Sequence, residues 1–390
     1  MWAYTKRVIC VACTFVVMAG AAGHRSTFPA AAGDGKRATG SIGALEVWPR
    51  QEAVCVSVYR RGWHEDYLVA LETGRVLWSR RQQRGRDFLA YFGPVSPDGT
   101  RVVVRQGRRS ELRGTSIEAV GVAETETPGR VRRIWQAPAG SRVLEVKATW
   151  ARNSEAVFVQ DIEVGPSLRN DKPFTAQVES VRLPDLTVQL KKTLTAVRLR
   201  HEAKIKAFWC PPATPAYCML ALEEITVPQY NPVLRIPLAG TRAFRRVARF
   251  QGRLHQVVPS PNDRRIALSS TEDTPTGVHT TLRILTGHDL KPAWELPLPL
   301  KVGSSFAWVC WSPDGERLVG FGGRGLYLID VEKKRVGPLG RVPQMVGRAT
   351  WAPDGKAVLF STTDRLMVID VHTQEVRTVW SVPESYPVAE

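Results

Sequence analysis

The sequence contains no apolar run of about 20 residues, the length that a membrane-spanning helix needs. Its apolar fraction of 43% and its charged fraction of 23% are ordinary for a folded soluble protein, which excludes both a disordered chain and a polytopic membrane protein. Acidic residues are scarce, since 37 Asp and Glu stand against 54 Lys and Arg, and the formal net charge over 390 residues is +17. Such an excess suggests an anionic partner, of which nucleic acid is the first to consider.

The amino-terminal residues have the pattern of a secretory signal peptide. Lys6 and Arg7 precede an apolar segment over residues 8–19, and small residues follow it. We therefore predict a signal peptide over residues 1–22, a flexible linker over 23–41, and a periplasmic or secreted protein with no transmembrane span after cleavage. An uncleaved anchor is the alternative. Export argues against nucleic acid and leaves a protein or an anionic envelope polymer as the expected partner, unless the basic excess only reflects codon usage.

Cysteine is rare in the rest of the chain. Four remain after the leader, namely Cys55, Cys210, Cys218 and Cys310. An oxidising compartment permits disulfides, and Cys210 and Cys218 flank one short proline-containing segment. These two residues are the disulfide candidate, with two free thiols as the alternative. Cys55 and Cys310 lie in apolar β-type segments and are expected to be small buried side chains.

Sequence motifs of common enzymes and metal sites are missing as well. There is no G-x-S-x-G nucleophile turn, and His64 and His201 lack the second histidine that zinc spacing on a helix requires. The G-x-G-x-x-G of residues 320–325 precedes a β-type segment where a dinucleotide site needs a helix. We therefore predict no catalytic residue, no cofactor and no metal, although residues far apart in sequence can still assemble an active site.

A four-residue turn recurs along the chain and supplies the main signal. Ser-Pro-Asp-Gly occurs at 96–99 and 312–315, and Ala-Pro-Asp-Gly at 352–355, each followed by an apolar β-type run. Proline presets φ at the second position, aspartate accepts local backbone hydrogen bonds, and glycine takes the position that requires a positive φ. The predicted structural turn residues are Pro97, Asp98, Gly99, Pro313, Asp314, Gly315, Pro353, Asp354 and Gly355.

Tryptophan marks the same place in the repeat. It stands just before the turn at Trp48, Trp150, Trp209, Trp311 and Trp351, and a second hairpin follows the turn in each unit. Seven such units follow one another at steps of 40 to 60 residues, which is the spacing of propeller blades with loop insertions. We predict an all-β fold, a seven-bladed β-propeller of four-stranded antiparallel blades over residues 42–381, in which each blade has four consecutive strands. A carboxy-terminal tail spans 382–390.

These motifs resemble a known repeat. The Trp-[Ser/Ala]-Pro-Asp-Gly turn, followed by a strand ending in Ile-Asp-Val at 329–331 and 369–371, resembles the WD40-like repeat of TolB-type and prolyl-oligopeptidase propellers. The resemblance implies the fold, but the chain lacks the TolB amino-terminal domain and any hydrolase domain. We expect a non-catalytic protein- or ligand-binding scaffold in the cell envelope. The alternative is an envelope hydrolase or lyase that acts on carbohydrate or peptide through loops on one propeller face.

The connections between the second and third strands are predicted to be long loops in the first five units and short in the last two. Insertions on a rigid scaffold are where binding residues concentrate, although drift also lengthens loops. Aromatic and arginine side chains are enriched in binding surfaces. The predicted binding residues are Tyr59, Arg60, Trp63, His64, Arg108, Arg109, Arg113, Arg169 and Tyr230.

Overall fold

The computed structural model of this chain describes residues 40–384 with gaps. The gaps are residues 61, 84–86, 91–93, 111–113, 138–142, 151–155, 164–174, 184–187, 195–202, 210–216, 225–230, 238–244, 251, 263, 275–276, 288, 298–307, 323–324, 341 and 343–345. The predicted signal peptide and most of the predicted linker lie outside the described residues, and the first strand begins at Gly40. In the described part, no helix is long and apolar enough to cross a membrane.

The described residues form four-stranded antiparallel sheets, each made of four consecutive strands. Sheet 1 contains β1 (Gly40–Trp48), β2 (Ala53–Arg60), β3 (Trp63–Ala70) and β4 (Val76–Gln83). Sheet 2 contains β5 (Asp87–Ala90), β6 (Arg101–Ser110), β7 (Gly114–Glu124) and β8 (Val131–Gln136). Sheet 3 contains β9 (Val143–Trp150), β10 (Ala156–Glu163), β11 (Thr175–Arg182) and β12 (Val188–Leu194). Sheet 4 contains β13 (Ala203–Trp209), β14 (Tyr217–Glu224), β15 (Asn231–Pro237) and β16 (Arg245–Phe250).

The remaining strands repeat this pattern to the end of the described chain. Sheet 5 contains β17 (Arg253–Pro259), β18 (Arg265–Thr274), β19 (Gly277–Thr286) and β20 (Pro292–Pro297). Sheet 6 contains β21 (Trp308–Trp311), β22 (Arg317–Gly322), β23 (Gly325–Asp330) and β24 (Arg335–Pro338). Sheet 7 contains β25 (Arg348–Trp351), β26 (Ala357–Ser361), β27 (Arg365–Asp370) and β28 (Val376–Ser381).

The first strands of the sheets, called the inner strands below, bring neighbouring sheets together. Contacts run from β9 to β13, β13 to β17, β17 to β21, β21 to β25 and β25 to β1, so the last sheet meets the first. Sheets 1 and 2 share an apolar cluster that includes Cys55, Leu68 and Val102. The prediction of an all-β propeller with four-stranded antiparallel blades is confirmed.

The Pro-Asp-Gly turns connect the first and second strands of sheets 2, 6 and 7. In the turn of sheet 6, Gly315 has φ +73° and donates its amide to the Ser312 carbonyl at 2.9 Å. The Asp314 carboxylate accepts the Glu316 amide, also at 2.9 Å. The turns at Gly99 and Gly355 repeat both features, with φ +72° and +68°. The side of the propeller that carries these turns is called the turn side, and the opposite side is called the hairpin side.

Three of the tryptophans before the turns connect their sheet to the one before it. The Trp150 indole donates to the Pro94 carbonyl at 2.7 Å, Trp311 to Val258 at 2.9 Å, and Trp351 to Cys310 at 3.0 Å. Each acceptor lies two residues before the serine of the preceding sheet's turn motif. A repeat in sequence is therefore also a repeat of one contact between sheets.

The connections on the hairpin side correct one prediction. Only two residues separate β2 from β3 and β18 from β19, and three separate β6 from β7. The predicted loops in these three units are long antiparallel hairpins, because alternating β-type residues continue the ladder beyond the sheet body. Strands β22 and β26 have only six and five residues. The predicted long loops of the third and fourth units, which contain Arg169 and Tyr230, lie outside the described residues.

The cysteines are described only in part. Cys55 is buried and free, whereas Cys310 is free and half-buried on the inner strand of sheet 6. Cys210 lies outside the described residues, so the pairing of Cys210 with Cys218 stays a prediction.

Candidate functional site

Four inner strands carry a β-bulge in their hairpin-side half. The register of the ladder skips Gly43 in β1, Leu144 in β9, Lys206 in β13 and His255 in β17. A bulge leaves one residue unpaired and turns its side chain or carbonyl away from the ladder, which is how sheets often place polar groups near a binding site. A propeller has a central channel between its inner strands. The hairpin-side end of this channel is called the mouth, and the bulges of β1, β13 and β17 place polar groups around it.

An arginine between aromatic rings forms the mouth at sheets 6, 7 and 1. The Arg348 guanidinium lies 4.7 Å from the ring centre of Trp308 and donates through Nε to the carbonyl of bulged Gly43 at 3.1 Å. Burial lowers the pKa of Arg348, and the Tyr59 hydroxyl acts against that shift. Tyr59 in turn stacks on His64 with ring centres 5.0 Å apart.

Gly43 is required for this arrangement. A Cβ at Gly43 would lie 1.9 Å from the Tyr59 ring, so only glycine allows the tyrosine to lie against the bulge. The contacts of Gly43 with Arg348 and with the Tyr59 ring therefore fix the positions of both side chains.

The bulged residues of β13 and β17 hold polar contacts on the opposite side of the mouth. His255 Nε2 lies 2.5 Å from the Thr271 hydroxyl, which also contacts the Thr280 hydroxyl at 3.0 Å. Lys206 forms an ion pair with Glu223 at 2.6 Å. Both pairs join the inner strand to the second strand of its sheet, so the mouth has an ordered polar lining.

A carboxyl group lies on β1, nearer to the turn side than Gly43. Burial raises the pKa of Glu46 to about 7, against the opposing effects of the Val95 amide and of Arg105. The charge of Glu46 also raises the pKa of the Cys310 thiol, although Cys310 lies two sheets away. Such an effect is expected of two groups that lie on inner strands around one central space. Burial is the main cause of the raised pKa values of Cys55 and Cys310.

The raised pKa of Glu46 makes stability depend on pH. In the unfolded chain this carboxyl titrates near 4.5, so the folded state binds its proton more tightly and loses stability as the pH rises from about 4.5 to about 7. Replacing Glu46 by glutamine is expected to raise the free energy of unfolding at pH 8 by up to about 3 kcal/mol and to leave it unchanged at pH 4. Denaturant unfolding at the two pH values measures both quantities.

The matched control for this prediction is Glu375→Gln, because Glu375 is an exposed glutamate on the turn side. It is expected to change stability by less than about 0.5 kcal/mol at either pH. An equal effect of Glu46→Gln at pH 4 and pH 8 would contradict the raised pKa of Glu46.

Sheet 1 carries a polar cluster on its face toward sheet 2. The Ser57 hydroxyl donates to Asp66 Oδ1, and His64 Nε2 lies 3.1 Å from the same oxygen. Gln82 donates to His64 Nδ1 at 3.1 Å. Serine, histidine and aspartate therefore meet, but the serine contacts the aspartate and not the histidine, and all three are buried. This is not the order of contacts that activates a nucleophile, so the cluster is structural.

The other face of sheet 1 closes the propeller against sheet 7. Glu65 is fully buried and accepts hydrogen bonds from Arg60 Nε at 2.7 Å and from the Tyr67 hydroxyl at 2.9 Å, and its other oxygen forms an ion pair with Arg81 Nε at 3.3 Å. Arg60 also donates to the carbonyls of Pro383 and Glu384, beyond the last strand. We call Arg60, Glu65, Tyr67 and Arg81 the closure cluster.

The predicted binding residues divide into two groups. Tyr59 and His64 lie near the mouth, Arg60 is buried in the closure cluster, and Trp63 is half-buried under the Arg81 guanidinium at 4.1 Å. All four lie on strands and not in a loop, which corrects the prediction. Arg108 and Arg109 lie on β6, where only the backbone is described, and Arg113, Arg169 and Tyr230 lie outside the described residues.

The sequence argument missed Gly43, Glu46, Lys206, Trp308 and Arg348. A signal for three of them was present, because Lys206, Trp308 and Arg348 each stand three residues before a turn tryptophan. That spacing places them at one level of three inner strands. No residue spacing identifies the bulges, which depend on the pairing of each strand with its neighbour.

No group of three or more His, Cys, Asp or Glu side chains is arranged to hold a metal ion in the part of the chain that the structure describes.

Comparisons with known proteins agree with the fold. No family model matches the chain, and no curated protein matches it. The structure is similar to an oligogalacturonate lyase from Vibrio parahaemolyticus, at 12% identity and a TM-score of 0.59, over 87% of this chain and 93% of that one. It is also similar to the propeller domain of the Trilobed protease from Pyrococcus furiosus, which has an open velcro topology, at 12% identity and a TM-score of 0.54 over 88% and 97% of the two chains.

A third similar structure is the acylaminoacyl peptidase of Pyrococcus horikoshii, at 11% identity and a TM-score of 0.56. The match covers 87% of this chain but only 52% of the peptidase, so this chain spans about half of that protein's length. At these identities the likeness shows the propeller fold alone.

Proposed function

We propose that this chain is an exported, non-catalytic binding propeller of the cell envelope that takes a protein or an anionic polymer on its hairpin side. One observation carries the proposal: bulged inner strands place polar groups around a channel mouth. On the same side the hairpins β2/β3, β6/β7 and β18/β19 are longer than those of sheets 6 and 7. Recognition surfaces typically combine ordered polar groups on a rigid scaffold with longer hairpins or loops beside them.

The ionisable groups near the mouth support binding over catalysis. Lys206 is paired with Glu223, and the ring nitrogens of buried His64 face Gln82 and Asp66. A general acid or base must reach the proton that it transfers, and these groups are occupied by internal partners.

Site-specific photo-crosslinking in the exporting cell tests which side binds. A photoreactive phenylalanine analogue at Trp63, a half-buried aromatic position at the tip of β2/β3, is expected to form adducts with an envelope component. The matched probe at Lys356, which is exposed on the turn side, is expected to form none. Replacing residues 108–116 by an Asn-Gly turn shortens β6/β7 and is expected to reduce the Trp63 adducts. Adducts at Lys356 alone, or undiminished adducts in the shortened variant, would contradict a hairpin-side surface.

An envelope hydrolase or lyase acting on carbohydrate or peptide is the second candidate function, and Glu46 is the observation that favours it. A carboxyl group with a pKa near 7 in a central channel is suited to proton transfer. The similarity to an oligogalacturonate lyase is consistent with that class. The test is release of soluble sugar or peptide from purified envelope polymer. Turnover that is lost in Glu46→Gln while binding is kept would establish the enzyme.

We also propose the finer features of the fold. The sheets form one closed ring of seven blades of the WD40-like TolB type, supported by the seven four-stranded sheets and by the contact of β1 with β25. In this proposal, side-chain and backbone contacts close the ring, and no strand is exchanged between the first and last blades. The closure cluster supports this, as does the Ile42 amide, which donates to the Thr363 carbonyl at 2.9 Å.

A further inference from the structure

The β-bulges of this protein lie almost entirely in the edge strands of its sheets. Each sheet has two edge strands, namely the inner strand and the outer strand, which is the fourth. Four inner strands are bulged, and the register also skips one residue in the outer strand of sheets 1 to 5 and of sheet 7. The skipped residues of the outer strands are Leu77, Ile134, Gln189, Val247, Ala293 and Val379.

The edge strands that lack a bulge in the described part of the chain are short. Strands β5, β21, β24 and β25 have four residues each, whereas every bulged edge strand has six or more. A strand of four residues offers few backbone groups to a new neighbour, and a bulge interrupts the regular row of such groups in a longer strand. Each edge strand that the structure describes is therefore either interrupted or short.

The ladders in the middle of the sheets, between the second and third strands, contrast with the edges. Among the described residues these ladders are regular in six of the seven sheets. The exception is β6/β7, where the register skips Glu118 and the Glu118 carbonyl accepts the Ala137 amide at 2.8 Å. Sheet twist does not explain this distribution, because twist accumulates from strand to strand and affects the middle ladder as well as the edges.

The outer strand β4 shows what a bulge contributes. It is the longest outer strand, with eight residues, and it contains neither proline nor glycine. Leu77 is 41% exposed, and Trp78 beside it is half-buried. A long edge strand with exposed apolar side chains is a site for pairing with another chain, and the bulge at Leu77 interrupts that edge. Strand β20, by comparison, begins and ends with proline, which cannot donate to a ladder.

We infer that the bulged and short outer strands close the rim of the propeller to strand addition, so that the chain stays monomeric and binds no partner by extending a sheet. A partner on the hairpin side is then recognised by side chains and not through a new backbone ladder. This last consequence rests on the proposed function, whereas the monomeric state does not. The inference goes beyond the proposed function because it states which kind of recognition the rim excludes.

Deleting Leu77 from the full mature chain tests the inference, because a bulged residue is the extra one in its ladder. Val76 and Trp78 keep their partners Val69 and Leu68, so the deletion straightens β4 without turning any side chain to the other face. The native chain is expected to be monomeric at about 0.5 mM, and the deletion variant is expected to form at least about tenfold more dimer by pairing of two β4 strands. Sedimentation velocity measures the dimer, and hydrogen exchange of the β4 amides locates the pairing.

Deleting Glu118 is the matched control, because it removes a bulge from the middle of sheet 2 and leaves the outer edges unchanged. This variant is expected to be monomeric, and far-ultraviolet circular dichroism shows whether both variants fold. A folded, monomeric Leu77 deletion or equal dimerisation of the two deletions would overturn the inference.

A measurement on the native chain needs no variant and remains decisive if a deletion prevents folding. Hydrogen exchange of the outer-strand amides is expected to be the same at low and at high protein concentration. Protection that increases with concentration would show strand addition at the rim and overturn the inference. None of these measurements uses an envelope partner, so their result is independent of the photo-crosslinking that tests the proposed function.

Discussion

Replacing Glu65 by glutamine is expected to lower the free energy of unfolding by about 3–5 kcal/mol, one of the two largest effects of a single substitution that we predict. Glu65 is fully buried and is contacted by two guanidinium groups and the Tyr67 hydroxyl. Glutamine preserves the shape of the side chain but removes its charge, so Arg60 loses the buried carboxylate that it contacts at 2.7 Å. The carbonyls of Pro383 and Glu384 cannot replace that charge. Denaturant unfolding at pH 7 measures the loss.

Glu124 provides the matched control, because it pairs with Arg101 at a similar distance, 3.2 Å, but is exposed. Glu124→Gln is expected to cost less than about 1 kcal/mol, since water screens an exposed pair. The double variant Arg60→Met with Glu65→Leu is expected to recover part of the stability, because both buried charges are then removed. A loss below about 1 kcal/mol in Glu65→Gln would show that the closure cluster does not stabilise the junction of sheets 1 and 7.

Replacing Trp311 by alanine is expected to cost about 3–5 kcal/mol, because it removes a large buried side chain between two sheets. Its indole also donates to the Val258 carbonyl of sheet 5. Trp311→Phe keeps most of the apolar volume and leaves that carbonyl without its donor. The same denaturant series measures the three proteins.

Trp48 is the natural comparison for this hydrogen bond. It occupies the same place in the repeat and is fully buried, but its indole nitrogen has no hydrogen-bond partner among the described residues. Trp311→Phe is therefore expected to cost about 1–3 kcal/mol more than Trp48→Phe. Equal costs would mean that the indole hydrogen bond between sheets contributes nothing to stability.

The contrast between Trp48 and the other tryptophans concerns how the propeller closes. At three other junctions an indole donates to a carbonyl two residues before the serine of the preceding sheet's turn motif. At the junction of sheets 7 and 1 the closure cluster and the Arg348–Gly43 contact are present instead. Chain connectivity supports every other junction, whereas this one joins the two ends of the described chain. The additional polar contacts at this junction therefore join segments that the chain itself does not connect.

Much of the fold could be predicted from the sequence because local turn chemistry repeats. The positive φ of Gly315 and the acceptor role of Asp314 follow from residue type alone. The lengths of the hairpins could not be predicted from the sequence, because Tyr59 to Glu65 contains polar and charged residues that are typical of a loop. In the structure these residues belong to β2 and β3, and several of them are buried between sheets 1, 2 and 7.

The mouth shows the limit of sequence reasoning more clearly. Arg348 donates a hydrogen bond to Gly43, which lies 305 residues earlier in the sequence. Glu46 raises the pKa of Cys310, which lies two sheets away. Neither pair shares a motif or a spacing. They meet because the sheets are arranged around one channel and because a bulge turns one carbonyl toward it.

What the sequence determined by itself is the repeating unit, since turn and strand preferences act over a few residues: four antiparallel strands, a Pro-Asp-Gly turn and a buried tryptophan. Its excess of basic residues suggested an anionic partner but not the surface that would bind it. Tertiary structure decided which polar residues meet. Those contacts depend on which sheet edge each strand occupies, and that is set by pairing between segments distant in the chain.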